Sequence, residues 1–453
     1  MRSATGASVS EPGLRLRSLD GLRGIAAGVV LLHHLSMTIP AVSNGYDNSA
    51  NLELFSPAWW LVASPLKIFV AGPEFVLVFF VLSGYVLTLA PLKARTARVE
   101  VGSSRGPYDW LAYFPRRILR LGVPVVAAMA LAYVVITAFP HPSGASTGSW
   151  LSRQAHPDTS LHNLWTETLL IVDPNHPSID PPLWSLTWEM WFSLLLPFVV
   201  LLALWSRRVP VLWGAFFIGV SVYGYVAHID AAMYLPAFAL GALLGANAER
   251  IRALSDRWHG TRRHTLTFAA IVVSGPLLSI CYWFVRPVFG PTGDDLALAM
   301  RVPGALLLVG AVAFLPSLGR VFAARPFAAL GKVSFSLYLV HSPIVVLFGL
   351  NFTGENWWLG ALLALVTSFA LAIGMYLLVE RPSTRLASWA GKRVAVAVHA
   401  VRRRVGVPVQ SAPERSEPER SEPEPREPQP REPQPAALRR EPVVSAERSL
   451  VSR

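Results

Sequence analysis

An arginine and a histidine inside the first apolar run are the residues of this chain best placed to do chemistry. Arg23 and His34 are eleven positions apart in the stretch SLDGLRGIAAGVVLLHHL, residues 18–35. On a helix this spacing separates them by roughly 16 Å, which leaves Arg23 near one end and His34 deep inside. A buried neutral histidine is a base that accepts a proton from a hydroxyl. The spacing therefore predicts a proton-transfer site within the apolar part of the chain.

Two further ionisable side chains reach a similar depth from other apolar runs. Glu189 lies in LWSLTWEMWFSLLLP, and His341 follows Lys332 by nine residues, which places them roughly 10 and 13 Å from the nearer ends of their helices. A carboxylate near a histidine orients the ring and stabilises its protonated form. We therefore predict a catalytic group of His34, Glu189 and His341. The alternative for each histidine is a hydrogen bond to a neighbouring helix, without a chemical role.

Two arginines and a serine complete the candidate site. Arg117 and Arg120 are three positions apart in FPRRILRLGVP and share one helical face where an apolar run begins. Two guanidinium groups so placed form a fork for phosphate, whereas arginines that only mark the membrane boundary are the alternative. Ser83 and Gly84 in FFVLSGYVL allow close helix approach or a backbone contact with a ligand.

The elements that must position these residues are membrane-spanning helices. The 453 residues are 53% hydrophobic and 15% charged, with a mean hydropathy of +0.43. About ten apolar runs reach the length of roughly 20 residues that spans a bilayer. We predict an all-α fold, a polytopic membrane bundle of about ten transmembrane helices. The predicted spans are residues 22–42, 67–90, 117–139, 184–205, 209–228, 231–248, 266–286, 301–319, 333–351 and 358–379.

The basic residues indicate the orientation of this bundle. Arginines precede the first span, and residues 91–117 after the second span carry a clear basic excess. Loops on the other side, including residues 140–183, contain few Lys or Arg. Because cytoplasmic loops are enriched in these residues, we predict that both termini are cytoplasmic. Ala/Arg/Pro-rich usage favours a bacterial origin, so the predicted location is the bacterial plasma (inner) membrane.

Composition also bounds the domains and excludes several classes of protein. We expect a cytoplasmic N-terminal segment at residues 1–15, a membrane domain at 16–390 and a disordered Pro/Glu/Arg-rich cytoplasmic tail at 405–453. The single cysteine, Cys281, excludes an intrachain disulfide and a cysteine-based zinc site. The net charge of +12 is spread over short loops, which fits topology better than nucleic-acid binding. No metal site is predicted.

Six motifs in chain order resemble the acyltransferase-3 family of integral membrane proteins, which includes bacterial O-acetylases of surface polysaccharides and macrolide acyltransferases. The resemblance runs from about Leu16 to Arg385. The motifs are RSLDGLRGIAAGVVLLHH, FFVLSGYVL, RRILR, LWSLTWEMWFSLLLP, SFSLYLVHSP and VERPSTR.

The resemblance implies transfer of an acyl group, usually acetyl from acetyl-CoA, to a hydroxyl of a sugar or glycosylated molecule. It makes His34 the general base and Arg23, Arg117 and Arg120 the contacts for the donor's phosphates, and we place Ser83 with them. His33 leaves the identity of the base open, and the spacing from Arg23 favours His34.

The partners that follow are acyl-CoA as co-substrate, a sugar-containing acceptor and the lipid bilayer. No bound cofactor is expected. Some members of the family carry a further hydrolase-like domain, so a partner protein or a homo-oligomer is one expectation here, and a small acceptor is the other. The rival function is a glycan or lipid transporter or flippase, whose expected mark, internal repetition, is not found in the sequence.

Overall fold

The computed structural model describes residues 12–99, 108–139, 142, 148–171, 178–258, 260–286 and 291–404. The expected tail at 405–453 and residues 1–11 lie outside this description. Over the described part of the chain, regular structure is helical throughout. The α-helices are α1 Pro12–Met37, α2 Pro40–Asp47, α3 Pro57–Val62, α4 Gly72–Val99, α5 Trp110–Ala138, α6 Ser149–Gln154, α7 Leu161–Leu169, α8 Leu183–Trp205, α9 Pro210–Ala227, α10 Asp230–Ala246, α11 Ala248–Trp258, α12 Arg262–Val285, α13 Pro291–Ala299, α14 Arg301–Phe314, α15 Pro316–Phe322, α16 Arg325–Asn351, α17 Trp357–Met375 and α18 Arg381–Arg404.

The predicted polytopic membrane bundle is confirmed. Within the described residues, eight helices are long and apolar enough to cross a membrane, and the count rises to ten if two bent helix pairs are each one span. Those two pairs are α1 with α2, which meet at 102°, and α10 with α11, which meet at 62°.

The first and last spans differ from the sequence prediction at their ends. Helix α1 stops at Met37 rather than continuing to residue 42, because Pro40 has no backbone N–H and holds Ile39 in an extended conformation. The last span does not end at residue 379. It passes through a π-helical turn at Tyr376–Glu380 and continues as α18 to Arg404, beyond the expected domain boundary at residue 390.

A buried cluster of charges fixes the connection between α3 and α4. Glu74 forms an ion pair with Arg301 Nη2 at 3.2 Å and accepts a hydrogen bond from Trp283 Nε1 at 3.0 Å. The Lys67 ammonium lies 4.6 and 4.3 Å from the ring centres of Tyr46 and Trp283, within cation–π range. Burial lowers the pKa of Lys67 to about 8. The cluster ties α4 to α12 and α14 beside the end of α1.

Helices α1 and α16 run parallel and touch through two glycines. A Cβ on Gly24 would lie 2.5 Å from the backbone nitrogen of Gly331, and a Cβ on Gly331 would lie 2.1 Å from the carbonyl oxygen of Asp20. His34 is ten residues beyond Gly24, and His341 is ten residues beyond Gly331. Equal helical rise from one contact point therefore brings the two histidines level, about 15 Å further along.

We expect Gly24→Ala to destabilise the bundle by about 1–3 kcal/mol, because the added methyl forces the two backbones apart. Thermal unfolding in detergent measures the change. The matched control is Gly28→Ala, one turn further along α1, where a Cβ would meet only Leu330 Cδ2 at an ordinary 3.8 Å. Equal melting temperatures for the two variants would contradict the proposed contact.

Candidate active site

A cavity of about 260 Å³ lies among α1, α4, α5, α8, α16 and the π-helical turn. Five of the residues singled out from the sequence line it: Arg23, Ser83, Arg117, Arg120 and Glu189. Arg120 and Lys332 are exposed, so we call their end of the cavity the mouth. The structure thus gathers into one space side chains from helices far apart in sequence.

Arg117 and Glu189 form an ion pair inside this cavity. An Nη2–H of Arg117 donates to Glu189 Oε1, and Ser83 Oγ donates to the same oxygen at 3.2 Å. The Arg117 Nε–H donates to Ser193 Oγ at 2.9 Å. The local cause on α5 is the N-cap at Asp109, whose carboxylate accepts the Ala112 N–H at 3.0 Å and fixes where the helix begins. Arg117 and Arg120, which the sequence predicts to form a phosphate fork, thus both line the cavity but have different surroundings, because Arg117 is paired with Glu189.

Three other cations in the cavity have no such partner. Arg23, Arg120 and Lys332 have no carboxylate within 4 Å among the residues that the structure describes. The carboxylates of Asp20 and Glu380 line the same space at longer range. An anion that enters the mouth therefore meets cationic groups that are not neutralised by ion pairs.

The π-helical turn at Tyr376–Glu380 aims a carboxylate into the cavity. Ser336 Oγ on α16 donates to Glu380 Oε2 at 2.6 Å. A π turn contains one residue more than an α turn, and such turns are frequent at functional sites. Glu380 belongs to the motif VERPSTR, which carries the family resemblance, so the signal was present in the sequence without a role attached to it.

His34 and His341 are joined by a hydrogen bond of 2.8 Å between His34 Nδ1 and His341 Nε2. His341 Nδ1 lies 3.0 Å from the carbonyl oxygen of Leu337 and 2.8 Å from that of Tyr338. Carbonyl oxygens only accept, so Nδ1 of His341 carries its proton, and Nε2 accepts from His34. When both rings are neutral, the lone pair of His34 is therefore on Nε2. His34 is half-buried, while His341 is 1% exposed.

His33, the neighbour of His34, has different hydrogen-bond partners. Its Nδ1–H donates to the carbonyl oxygen of Val70 at 3.0 Å, and its side chain is buried. A Cβ on Gly72 would lie 2.6 Å from the ring. His33 is thus packed against the start of α4 and has the environment of a structural residue.

Two aromatic side chains that the sequence analysis missed contact the histidine pair. The Trp150 ring stacks on His34 with a centroid distance of 5.4 Å and an interplanar angle of 20°. Trp150 belongs to α6, which is held to α2 by the ion pair of Arg153 with Asp47, at 2.6 and 3.2 Å. The Tyr338 ring lies 5.8 Å from His341 on the cavity side. No rule of sequence spacing relates a residue in the segment 140–183 to the first helix, so nothing in the sequence indicated that Trp150 contacts His34.

Glu189 does not occupy the position expected for it. Equal depth in the membrane suggested that Glu189 orients His34, but the structure pairs Glu189 with Arg117 and gives His34 its partner in His341. The physical reason is charge: an arginine at the same depth outcompetes a neutral imidazole for the carboxylate.

No group of three His, Cys, Asp or Glu side chains that could hold a metal ion occurs in the described ranges.

The Arg117–Glu189 pair predicts a sharp contrast between two neighbouring arginines. Arg117→Ala leaves the Glu189 carboxylate, whose side chain is only 18% exposed, without its cation, so we expect a loss of about 3 kcal/mol in stability. Arg120→Ala, three residues further along α5, removes an exposed side chain and should leave the melting temperature within a degree or two of the wild type. A melting temperature for Arg117→Ala equal to that of Arg120→Ala would refute the structural role of the pair.

Comparison with known proteins identifies the family to which this chain belongs. The model of a family described as an acyltransferase domain matches residues 16–377. The acyltransferase clz18 of Cochliobolus lunatus is 23% identical over 404 residues, which cover 75% of this chain and 84% of the relative. The O-acetyltransferase PaAT-1 of Phomopsis amygdali is 26% identical over 380 residues, which cover 73% of this chain and 72% of the relative. No solved structure matches the chain. Since the match spans most of its length, this chain belongs to the acyltransferase-3 family of membrane acyltransferases.

Proposed function

We propose that the chain transfers a short acyl group, acetyl in the simplest case, from acyl-CoA to a hydroxyl of a sugar-containing acceptor. His34 is the general base. The observation that carries this proposal is the hydrogen-bonded pair of His34 and His341, because it leaves Nε2 of a half-buried histidine as the proton acceptor. The relative named as an O-acetyltransferase supports both the acyl group and the hydroxyl acceptor.

The donor binds through its phosphates at the mouth of the cavity. Arg23, Arg120 and Lys332 are the cations there without a carboxylate partner, and CoA is polyanionic. Arg117 contributes through Glu189 and Ser83, since together they shape the wall along which the rest of the donor lies. The thioester then points away from the mouth and towards the histidine pair.

The transfer step consists of one nucleophilic attack, during which His34 accepts a proton from the acceptor and then gives it to the leaving group. Nε2 of His34 takes the proton of the acceptor hydroxyl as its oxygen attacks the thioester carbonyl. The tetrahedral intermediate collapses, the C–S bond breaks, and the CoA thiolate takes the proton from His34. His341 keeps His34 in the productive tautomer and shares the charge of the imidazolium while it exists. The products are the ester and CoA, and no proton is gained or lost overall.

The acceptor reaches His34 from the side opposite to the mouth. Trp150 covers one face of the imidazole there, and an aromatic ring is a suitable surface for the apolar face of a sugar. Glycans of the cell envelope and glycosylated small molecules both satisfy this chemistry.

The orientation follows from the same assignment. CoA is cytosolic, so the mouth with Arg23, Arg120 and Lys332 faces the cytoplasm, and both termini lie on that side, in agreement with the basic loops. The Ala/Arg/Pro-rich amino-acid usage favours a bacterial plasma membrane, whereas the two relatives are fungal proteins. A partner protein or a second copy of the chain completes the path if the acceptor is a polymer.

The first test is turnover of labelled acetyl-CoA by the purified protein in detergent, with a panel of glycans and glycosylated macrolides. We expect transfer by the wild type and a loss of at least about 100-fold in kcat for His34→Ala, because general base catalysis contributes about 10²–10⁴-fold. His33→Ala, if folded, is the matched control and should retain kcat. Absence of turnover and of acyl-CoA binding by the wild type would refute the proposal and return the transporter as the better candidate.

A second test separates donor binding from chemistry. Arg120→Gln removes a cation at the mouth, so the KM for acyl-CoA should rise about 10-fold, with little change in kcat. The KM for the acceptor should not move. An unchanged donor KM in Arg120→Gln and in Arg23→Gln would exclude this end of the cavity as the phosphate site.

A further inference from the structure

Tyr338 separates the cavity from the histidine pair. It lines the cavity at the level of Phe79 and Ser185, whereas neither His34 nor His341 lines it. Its ring lies 5.8 Å from the ring of His341, one turn further along α16, and 5.7 Å from the ring of Phe79 on α4. Only 6% of Tyr338 is exposed. A group that enters at the mouth therefore meets this ring before it reaches His34.

The hydroxyl of Tyr338 is tied to the beginning of α8. It lies 2.6 Å from Ser185 Oγ and donates to the carbonyl oxygen of Pro182 at 3.1 Å. Ser185 Oγ lies 3.0 Å from the same carbonyl oxygen. Each hydroxyl has a single proton, so when Tyr338 donates to Pro182, Ser185 donates to the Tyr338 oxygen. The phenol thus bridges α16 and α8 across the inner end of the cavity.

The segment that receives this hydroxyl is itself held in place. Glu167 on α7 accepts the backbone N–H groups of Ser178, Ile179 and Asp180 at 2.7, 3.1 and 3.3 Å. Asp180 is fully buried, and burial raises the pKa of its carboxyl well above the usual range. Because these hydrogen bonds hold the residues just before Pro182, we expect an opening at this point to require movement of the Tyr338 side chain.

We propose that Tyr338 is the barrier between the donor cavity and His34, and that it determines which acyl groups pass. The proposal rests on the proposed function for the identity of the donor, but the barrier itself is a property of the packing. A short acyl group is admitted when the phenol leaves Ser185 and Pro182 and turns aside. A longer acyl chain needs space that the ring occupies. Tyr338 is thus a specificity-determining residue, and it does not take part in bond making.

The barrier is tested first without any turnover. Cys281→Ser with His34→Cys gives a chain whose single thiol is at the site, and a charged, membrane-impermeant thiol reagent is applied to each face of sealed vesicles in turn. We expect Tyr338→Ala to speed modification from the cavity side by about 10-fold or more and to leave the rate from the opposite side unchanged. Tyr338→Phe, which keeps the ring and removes both hydrogen bonds, should give a smaller increase. Tyr225→Phe, a buried tyrosine on α9 outside the cavity, is the matched control.

The second measurement compares kcat/KM for acetyl-, butyryl- and hexanoyl-CoA. We expect Tyr338→Ala to raise the ratio of hexanoyl to acetyl turnover by about 10-fold or more, since a few methylenes of pocket space are worth that factor. Tyr225→Phe should keep the wild-type ratio.

The outcomes separate the two proposals. Unchanged labelling in both folded Tyr338 variants overturns the barrier, whatever the enzyme does. Faster labelling together with an unchanged acyl-length profile overturns the role in specificity and keeps the barrier. Faster labelling in a protein whose wild type uses no acyl-CoA overturns the proposed function and leaves the barrier standing.

Discussion

Inside a bundle of apolar helices a charged group has little water to solvate it, and an unpaired charge there costs several kcal/mol. This penalty decides which helices must meet. Arg117 brings α5 against Glu189 of α8, and Arg301 brings α14 against Glu74 of α4. Lys67 is placed between two aromatic rings. The helices of the bundle could slide or rotate against one another if only apolar side chains joined them, and these pairs fix their positions.

The same constraint divides the polar residues into two groups. Those paired within the protein hold the scaffold together, as Arg117 and His33 do. Those left incompletely partnered are available to other molecules: the cations at the mouth, and Nε2 of His34. In the pair of His34 and His341, the inner ring is satisfied by the carbonyl groups of its own helix, and the outer ring is left with a ring nitrogen that can accept a proton. The atoms that hold the pair in place are therefore different from the atom that it presents to other molecules.

Much of the architecture could be predicted from the sequence, because each spanning helix leaves its own signal in hydropathy. The spans at 184–205 and 209–228 agree with α8 and α9 within a residue or two. The depth of a residue along its own helix could also be predicted from the sequence, as for Arg23 and His34. The pairing of residues on different helices could not be predicted. The partner of His34 is 307 positions away, and the contact of Gly24 with Gly331, rather than any local pattern, determines it. Depth alone could not distinguish Glu189 from His341 as that partner, and Trp150 lay in a connection that carries no periodicity.

The π-helical turn at Tyr376–Glu380 makes part of the site depend on chain length rather than on residue type. One residue fewer in this stretch would restore a regular α-helix and rotate everything after it by about 100° relative to α17. Glu380 would then leave Ser336 and the cavity, although no side chain there had been substituted. A one-codon insertion or deletion near the end of the last span is therefore a larger evolutionary step for this protein than most substitutions, and such a length change would mark relatives whose mouth is built differently.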